Sequence, residues 1–245
     1  MKPPIAISVV VPAYNEEKLI GKCLDSLTHQ DFKLPYEIIV VDNNSTDRTA
    51  AIARQFNVSV VSEVCQNVVA ARQKGSNVAH GKIVASVDCD ATYPANWLRL
   101  VYETFVSNPK IVAVAGTPVL EKNPLWAFWW YKAGFMCVNF LYQLTGQVIY
   151  IGAYNFAFNR KVFTEIGGYH TYLDAGGDEF DLLRRLKHVG KVVFNPELTM
   201  RLSARRYRQG FLKSMLVDGF YYYQLNYTLA RIFKQTFIRM PPVRE

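Results

Sequence analysis

The sequence predicts an α/β fold: a mostly parallel sheet sandwiched by helices, followed by a basic, aromatic helical tail. Three observations carry that expectation. Short apolar runs of strand length alternate with segments of helical spacing through the first half of the 245 residues. The runs are apolar almost without a break, as strands buried on both faces are. Polar and acidic residues gather directly after the first, second and fourth runs, at one edge of the expected sheet, where such sheets bind their ligands.

Taken in order, ISVVV at Ile7–Val11 is the first strand. Lys18–Leu27 is a helix, with Leu19, Ile20, Cys23, Leu24 and Leu27 on one stripe. Between them lies PAYNEE, where Pro12 shapes the turn and Asn15 is a candidate cap. Glu16 and Glu17 suit a helix N-terminus through the helix dipole. EIIVV at Glu37–Val41 is the second strand. Thr46–Phe56 is a short helix with Ser45 or Thr46 as N-cap. Val58–Val61 is the third strand, Val68–Ala79 a helix and Lys82–Val87 the fourth strand. Pro94–Val106 opens with proline at a favoured first-turn position and keeps helical spacing. Lys110–Ala115 is the fifth strand. The second half is less regular. Ala153–Phe158 reads as a strand, Arg160–Ile166 as a short helix closed by Gly167-Gly168, and Val192–Phe194 as a short strand. Asp178–Val189 is a helix stopped by Gly190. Beyond Tyr207, FYYYQLNYTLARIFKQTF has the pattern of an amphipathic helix.

Half of the residues are hydrophobic and 20% are charged, a globular composition. The net charge is +8, and from Glu197 onward nine Lys/Arg face three Asp/Glu. Such asymmetry implies an anionic partner: a phosphate-bearing ligand, nucleic acid or an anionic membrane face. No nucleic-acid recognition module is evident. Cys23, Cys65, Cys89 and Cys137 show neither zinc-site nor disulfide spacing, which points to a reducing, cytoplasmic setting. The N-terminus lacks the pattern of a signal peptide. The long apolar stretch from Pro124 to Tyr150 is broken by Lys132, Asn139, Gln143 and Gln147 and falls short of a spanning helix. Two readings remain open for it, an aromatic core segment and a membrane-interface segment.

In SVDCDATYP, alternation along an extended chain would turn Asp88 and Asp90 to one side and Cys89 to the other. Paired carboxylates repel unless a cation joins them, and hard divalent ions such as Mg²⁺ or Mn²⁺ suit such oxygens. A solvated acidic loop is the plainer alternative, but the position at the end of a buried strand favours a site. Asp42 follows the second strand directly. Helix capping is its plainer role, although Asn43, Asn44 and Ser45 can serve instead. A dinucleotide-binding oxidoreductase is excluded, since no GxGxxG follows the first strand.

VVVPAYNEE, VVDNNSTDRT, NVVAARQKGSNVAHGKIVASVDCDATYP, GAYNFAFNRKVFTEIGGY and GDEFDLLRRLKHVG follow one another in this order. Together, from about Ile7 to about Arg206, they resemble the family 2 glycosyltransferases, inverting enzymes of GT-A fold. The resemblance implies a glycosyltransferase domain over residues 1–206, with a nucleotide-binding half at 1–116 and an acceptor-binding half at 117–206; the basic, aromatic tail at 207–245 has the composition of a segment that can dock on an anionic membrane. It places Pro12, Ala13, Tyr14 and Glu16 at the nucleotide, Asp42 at the base or ribose, and Arg72 nearby. Asp90 becomes the direct ligand of a Mn²⁺ or Mg²⁺ ion, with Asp88 beside it near the ribose and diphosphate. Ala91 stands where relatives often carry a further acid. Arg205 and Arg206 are candidates for contact with the diphosphate or a lipid acceptor, the alternative being a solvated basic face.

The catalytic base of the family is the second acid of a Glu-Asp-x-Asp-Leu pattern. This chain reads Asp178-Glu179-Phe180-Asp181-Leu182, with the pair exchanged. Glu179 takes the base position, and Asp178 can substitute if the helix start rotates slightly. Asp181, four residues before Arg185, reads as a structural partner. His170 and His188 receive no role. The implied reaction is inverting transfer of a sugar from a nucleoside-diphosphate sugar, UDP foremost, to a saccharide acceptor, a lipid-linked saccharide or a polyprenyl phosphate. The contrasting reading is a non-catalytic component of a polysaccharide or glycolipid assembly that keeps the fold for binding.

Overall fold

The computed structural model describes residues 3–121, 124–173, 177–214, 216 and 225–235. Much of the expected tail helix, residues 217–224 and 236–245, lies outside the described residues, as does Gly176 ahead of the acidic helix.

One eight-stranded sheet organises the chain, in the order β3-β2-β1-β4-β7-β6-β8-β5. The first half supplies β1 (Ile7–Ala13), α1 (Ile20–Thr28), β2 (Tyr36–Asp42), α2 (Thr49–Ala53), β3 (Ser59–Ser62), α3 (Val68–Val78) and β4 (Ile83–Val87). The short β5 (Ala91–Thr92), α4 (Trp97–Ser107) and β6 (Ile111–Leu120) follow. Then come α5 (Leu125–Thr145), β7 (Asn155–Asn159), α6 (Arg160–Glu165), α7 (Asp178–Val189), β8 (Lys191–Leu202) and α8 (Asn226–Phe233). The first four strands are mutually parallel. The fifth expected strand, β6, does not extend that block directly. Instead β7 enters antiparallel between β4 and β6.

Strand alternation sorts the core into two layers. Val9 and Val11 of β1 pack with Cys23, Leu24 and Leu27 of α1 and with Trp97 and Leu98 of α4. Val10, facing the other way, joins Val69 and Ala71 of α3, Phe163 of α6 and Leu182 and Leu186 of α7. The sheet is therefore covered on both faces, as its unbroken apolar strands require.

Three expectations need correction. Neither Ser45 nor Thr46 caps α2, because both hydroxyls are taken by Asn15. The Asn15 amide donates to Ser45 Oγ at 3.0 Å and its Nδ2 to Thr46 Oγ1 at 3.1 Å. Asn15 accordingly does not cap α1, which starts at Ile20, beyond both glutamates. The third concerns Pro94, which precedes α4 in a turn closed by the Trp97 amide on the Pro94 carbonyl at 2.9 Å.

The long apolar stretch forms α5, 21 residues long and with Ala127 its one fully buried side chain. It matches neither a core segment nor a spanning helix. No helix among the described residues is long and apolar enough to cross a membrane.

Candidate active site

The carboxyl ends of β1, β2 and β4 lie side by side and bring the first set of residues together. Pro12 pairs with Val41 and Ala13 with Asp42 as the last rungs between β1 and β2. Both side chains are buried, and the Ala13 carbonyl accepts the Asn43 amide at 2.8 Å. Tyr14 is half-buried at the start of the following turn. That turn is sewn to the loop after β2. The Glu16 amide donates to Thr49 Oγ1 at 2.7 Å, the Glu17 amide to Asp47 Oδ2 at 3.1 Å, and the Arg48 amide to Glu17 Oε2 at 3.2 Å. Asp42, half-buried, accepts the Ser45 amide at 3.3 Å on one oxygen. Buried Asn43 holds the carbonyls of Glu63 and Cys65.

Asp88 and Asp90 flank a turn after β4 rather than lying on an extended strand, yet the expected partition holds. Cys89 is buried in the core, while the Asp88 and Asp90 side chains keep 28% and 17% exposure. Each aspartate meets a different arginine. Arg72, buried on α3, donates from Nη2 to Asp88 Oδ1 at 2.9 Å and from Nη1 to Asp178 Oδ2 at 3.4 Å. Burial opposes the Arg72 charge, but the carboxylates of Asp88 and Asp178 more than offset it and push its pKa up. Arg205 lies 3.1 Å from Asp90 Oδ2 through Nε and donates to Glu16 from Nη1 at 2.8 Å and from Nη2 at 2.5 Å. Arg205 is therefore an internal residue and not part of a solvated basic face. Arg206 is half-buried, and its charge reaches Asp90.

Burial, the neighbouring Asp88 and Glu16 push the Asp90 carboxyl up to about 7, against the pull of Arg205 and Arg206. A carboxylate pressed in this way is suited to a divalent cation, and both acids offer hard oxygen donors. Among the described residues no three His, Cys, Asp or Glu side chains converge on a metal. The donor set thus fits an ion that completes its shell with ligand phosphate and water. Ala91, buried in β5 opposite Leu202, adds no third acid.

α7 begins at Asp178 as expected, with Gly177 before it and no side-chain cap. Asp178, Glu179 and Asp181 are all buried. Their partners separate their roles. Asp181 is held by Arg185 Nε at 2.8 Å, as its spacing implied, and also by His170 Nδ1 at 2.9 Å. Asp178 is engaged by Arg72. Glu179 accepts the Ala153 amide on Oε1 at 2.9 Å, while its buried Oε2 makes no hydrogen bond among the described residues. Burial and the adjacent Asp178 push the Glu179 carboxyl up to about 8, with Arg72 and the Ala153 amide opposing.

Sequence reasoning missed the surroundings of Glu179. Ala153 and Tyr154 lie in GAYNFAF, a segment read as a strand and as part of a family motif but given no site residue. The Tyr93 hydroxyl donates to the Tyr154 carbonyl at 2.8 Å and accepts the Asp88 amide at 3.2 Å, tying the 150–154 loop to the acid pair. The Tyr150 ring packs on Phe135 at 5.8 Å and on Phe180 at 6.0 Å. Phe180 in turn meets Tyr227 of α8 at 6.2 Å. An aromatic seam thus runs from α5 across the start of α7 to α8.

Known proteins share this fold. The structure of Staphylococcus aureus TarS 1–349 in complex with UDP superposes with a TM-score of 0.66 at 18% identity, over 84% of this chain and 62% of that one. A mannosyltransferase from Pyrobaculum calidifontis, in complex with GDP-Man and Mn²⁺, gives 0.62 at 21% identity over 85% of this chain and 61% of its own. These likenesses bear out the expected GT-A fold. In sequence, a glucosyl-dolichyl phosphate glucuronosyltransferase of Haloferax volcanii is 28% identical over 191 residues, 71% of this chain and 58% of the relative. The glycosyltransferase AglE of the same organism is 39% identical over 100 residues, 38% of this chain and 33% of the relative. The chain thus spans between a third and three fifths of the length of these two relatives. The model of the family described as Glycosyl transferase family 2 matches residues 8–167, and that span holds both acids after β4, Arg72 and the turn that carries Glu16. The chain belongs to glycosyl transferase family 2.

Proposed function

We propose that this chain transfers a sugar, with inversion, from a nucleoside-diphosphate sugar to an acceptor hydroxyl on a lipid-linked saccharide, at the cytoplasmic face of an anionic membrane. The observation that carries the reading is the Arg72 bridge. One buried guanidinium joins Asp88, at the expected donor edge of the sheet, to Asp178, at the start of the acidic helix. This bridge, with Glu179 next to it, supports a reading in which donor and acceptor meet at one place.

The roles follow from the partners. Pro12, Ala13 and Tyr14 border the nucleotide, and Asp42 keeps one oxygen for its base or ribose. UDP is the donor nucleotide we favour, and UDP and GDP-Man are named in the complexes of the neighbours. Asp90, with Asp88 beside it, would hold Mn²⁺ or Mg²⁺, whose charge offsets that developing on the departing diphosphate. Arg205, steadied by Glu16, and Arg206 face the same negative charge. Glu179 is the general base, its orientation set by the Ala153 amide. As the acceptor oxygen bonds to the anomeric carbon, the bond to the diphosphate breaks and the acceptor proton passes to Oε2. A carboxylate base is needed by a hydroxyl acceptor and not by a bare polyprenyl phosphate, whose oxygen already carries charge. The printed name of one relative, a glucosyl-dolichyl phosphate glucuronosyltransferase, is in keeping with a saccharide already on a lipid phosphate.

The test is nucleotide release from a donor in the presence of acceptor. Glu179→Gln should lower kcat by about 100-fold or more while donor binding, read by thermal shift, is kept. Asp178→Asn should retain far more turnover but lower the Tm, because Arg72 loses a buried partner. Asp90→Asn should remove the response to Mn²⁺. Near-normal turnover in Glu179→Gln would overturn the base assignment. A non-catalytic binding component would show no nucleotide release in the parent chain.

A further inference from the structure

α5 is apolar on two faces. Its inner face, with Ala127, Phe135 and Tyr142, packs on the sheet layers. The outer face carries Leu125, Trp129, Met136, Phe140 and Leu144, each more than half exposed, from 59% for Trp129 to 71% for Leu144. These positions recur at intervals of four or seven residues, which keeps them on one stripe of the helix. A helix that is hydrophobic all round is normally enclosed. Here, among the described residues, one side is open.

Two further observations say what covers it. The sequence beside the stripe is mostly basic, although Arg205 is engaged by Glu16 and Asp90 and Arg208 lies 3.9 Å from Glu121. Residues 124–145 contain Lys132 and no Asp or Glu, and residues 203–216 contain Arg205, Arg206, Arg208 and Lys213 and no Asp or Glu. Moreover, the basic segment is fastened along the stripe. Phe211 meets Trp126 at 5.3 Å and Trp130 at 6.1 Å, both edge-on, and leaves Leu212 exposed beside them. Exposed Trp, Leu and Phe amid Lys and Arg are the composition of a surface lying in the headgroup layer of an anionic leaflet. A second copy of the chain would set like charges against each other.

We infer that the outer stripe of α5, with the Phe211–Lys213 segment beside it, is the face by which this protein lies on an anionic lipid surface, α5 parallel to the membrane plane. This deepens the proposed function and rests on it for the lipid-linked nature of the acceptor. The inner side of the same helix reaches the start of α7, next to Glu179, through the Phe135–Tyr150 and Tyr150–Phe180 contacts. An acceptor headgroup leaving the lipid surface would therefore meet the base at the edge of α5.

Flotation of the purified full chain with vesicles tests it. Vesicles of phosphatidylcholine alone and of phosphatidylcholine with an equal part of phosphatidylglycerol are compared, with UDP-dependent thermal stabilisation read separately. The chain should float with the anionic vesicles and remain behind with the neutral ones. Trp129 fluorescence should shift to the blue on binding. Lys132→Glu should weaken anionic-vesicle affinity by at least about fivefold. The pair Trp129→Ser and Phe140→Ser should abolish flotation. Both changes lie on exposed positions, so UDP stabilisation should stay intact, which guards against misfolding as the cause. The inference is overturned if the parent chain ignores both vesicles, or if the variants float as it does. It is equally overturned if the chain forms a dimer that Trp129→Ser dissolves and binds no vesicle. Loss of UDP stabilisation in the parent chain would instead strike the proposed function and leave the surface inference standing.

Discussion

Glu179 must lose its proton before it can accept one, and its surroundings delay that loss. With its carboxyl pushed up to about 8 by burial and by Asp178, the active carboxylate accumulates as pH rises. We expect kcat/KM to climb across neutral pH and level off above about 8, and Glu179→Gln to lack that limb. The same shift bears on stability. The folded pKa lies above the ordinary value of 4.5, so the folded state favours the protonated acid. That contribution is full below the unfolded pKa and is lost as pH rises through the folded one. The Tm of the parent chain should therefore fall relative to Glu179→Gln between about pH 5 and about pH 9, as scanning calorimetry would show. At this scale, legibility followed distance along the chain. The Asp181–Arg185 pair sits within one helix and could be read from spacing. Glu16 and Arg205 are 189 positions apart, so their ion pair was not foreseen when Glu16 was read as suiting a helix N-terminus and as a nucleotide contact. The separation of Asp178 from Glu179 was equally hidden, since it depends on Arg72 and the Ala153 amide, neither near them in sequence.

Elements whose stripe or run meets one partner surface were legible, and those shaped by several partners were not. α7 forms with the expected bounds because its apolar stripe and closing glycine act locally. β8 continues to Leu202, well past the expected stop at Phe194. Pro196 lies in an irregularity of its pairing with β6, where the register jumps between Asn195 and Thr199, so the missing amide leaves the ladder on either side intact. α5 was left between two readings because both of its faces are apolar, which gives no one-sided pattern. Close packing of elements also sets a testable limit. Gly75 lies inside α3, where alanine would favour the helix by about 1 kcal/mol. A Cβ there would come within 2.3 Å of Val10 Cγ1 and 2.9 Å of Val41 Cγ2. Crowding of that degree costs roughly 1–3 kcal/mol in a core. Gly75→Ala should therefore lower the urea midpoint, against the helix-propensity trend.

For the molecule as a whole, the parallel block, its helical covers and the acids at its edge were foreseen, because each rests on patterns a few residues long. The order of strands beyond β4 was not. The place of β7, antiparallel between β4 and β6, follows from how α5 and the loop after it return the chain, and no local pattern encodes that path. This one strand has a consequence for how the protein comes to be made. When the ribosome has released β1 through β6, the β4 edge has no neighbour to hydrogen-bond and β6 has no route to join the block, because the residues between them, Asn155–Asn159, are still to come. A central strand with one open edge invites pairing with other chains. A fragment ending at Gly116, the expected nucleotide-binding half, should accumulate in aggregates, whereas one extended through Leu202 should recover solubility, as sedimentation after expression would reveal. Whatever division of labour the two halves observe in chemistry, synthesis must treat them as one unit, closed by a five-residue strand that arrives late.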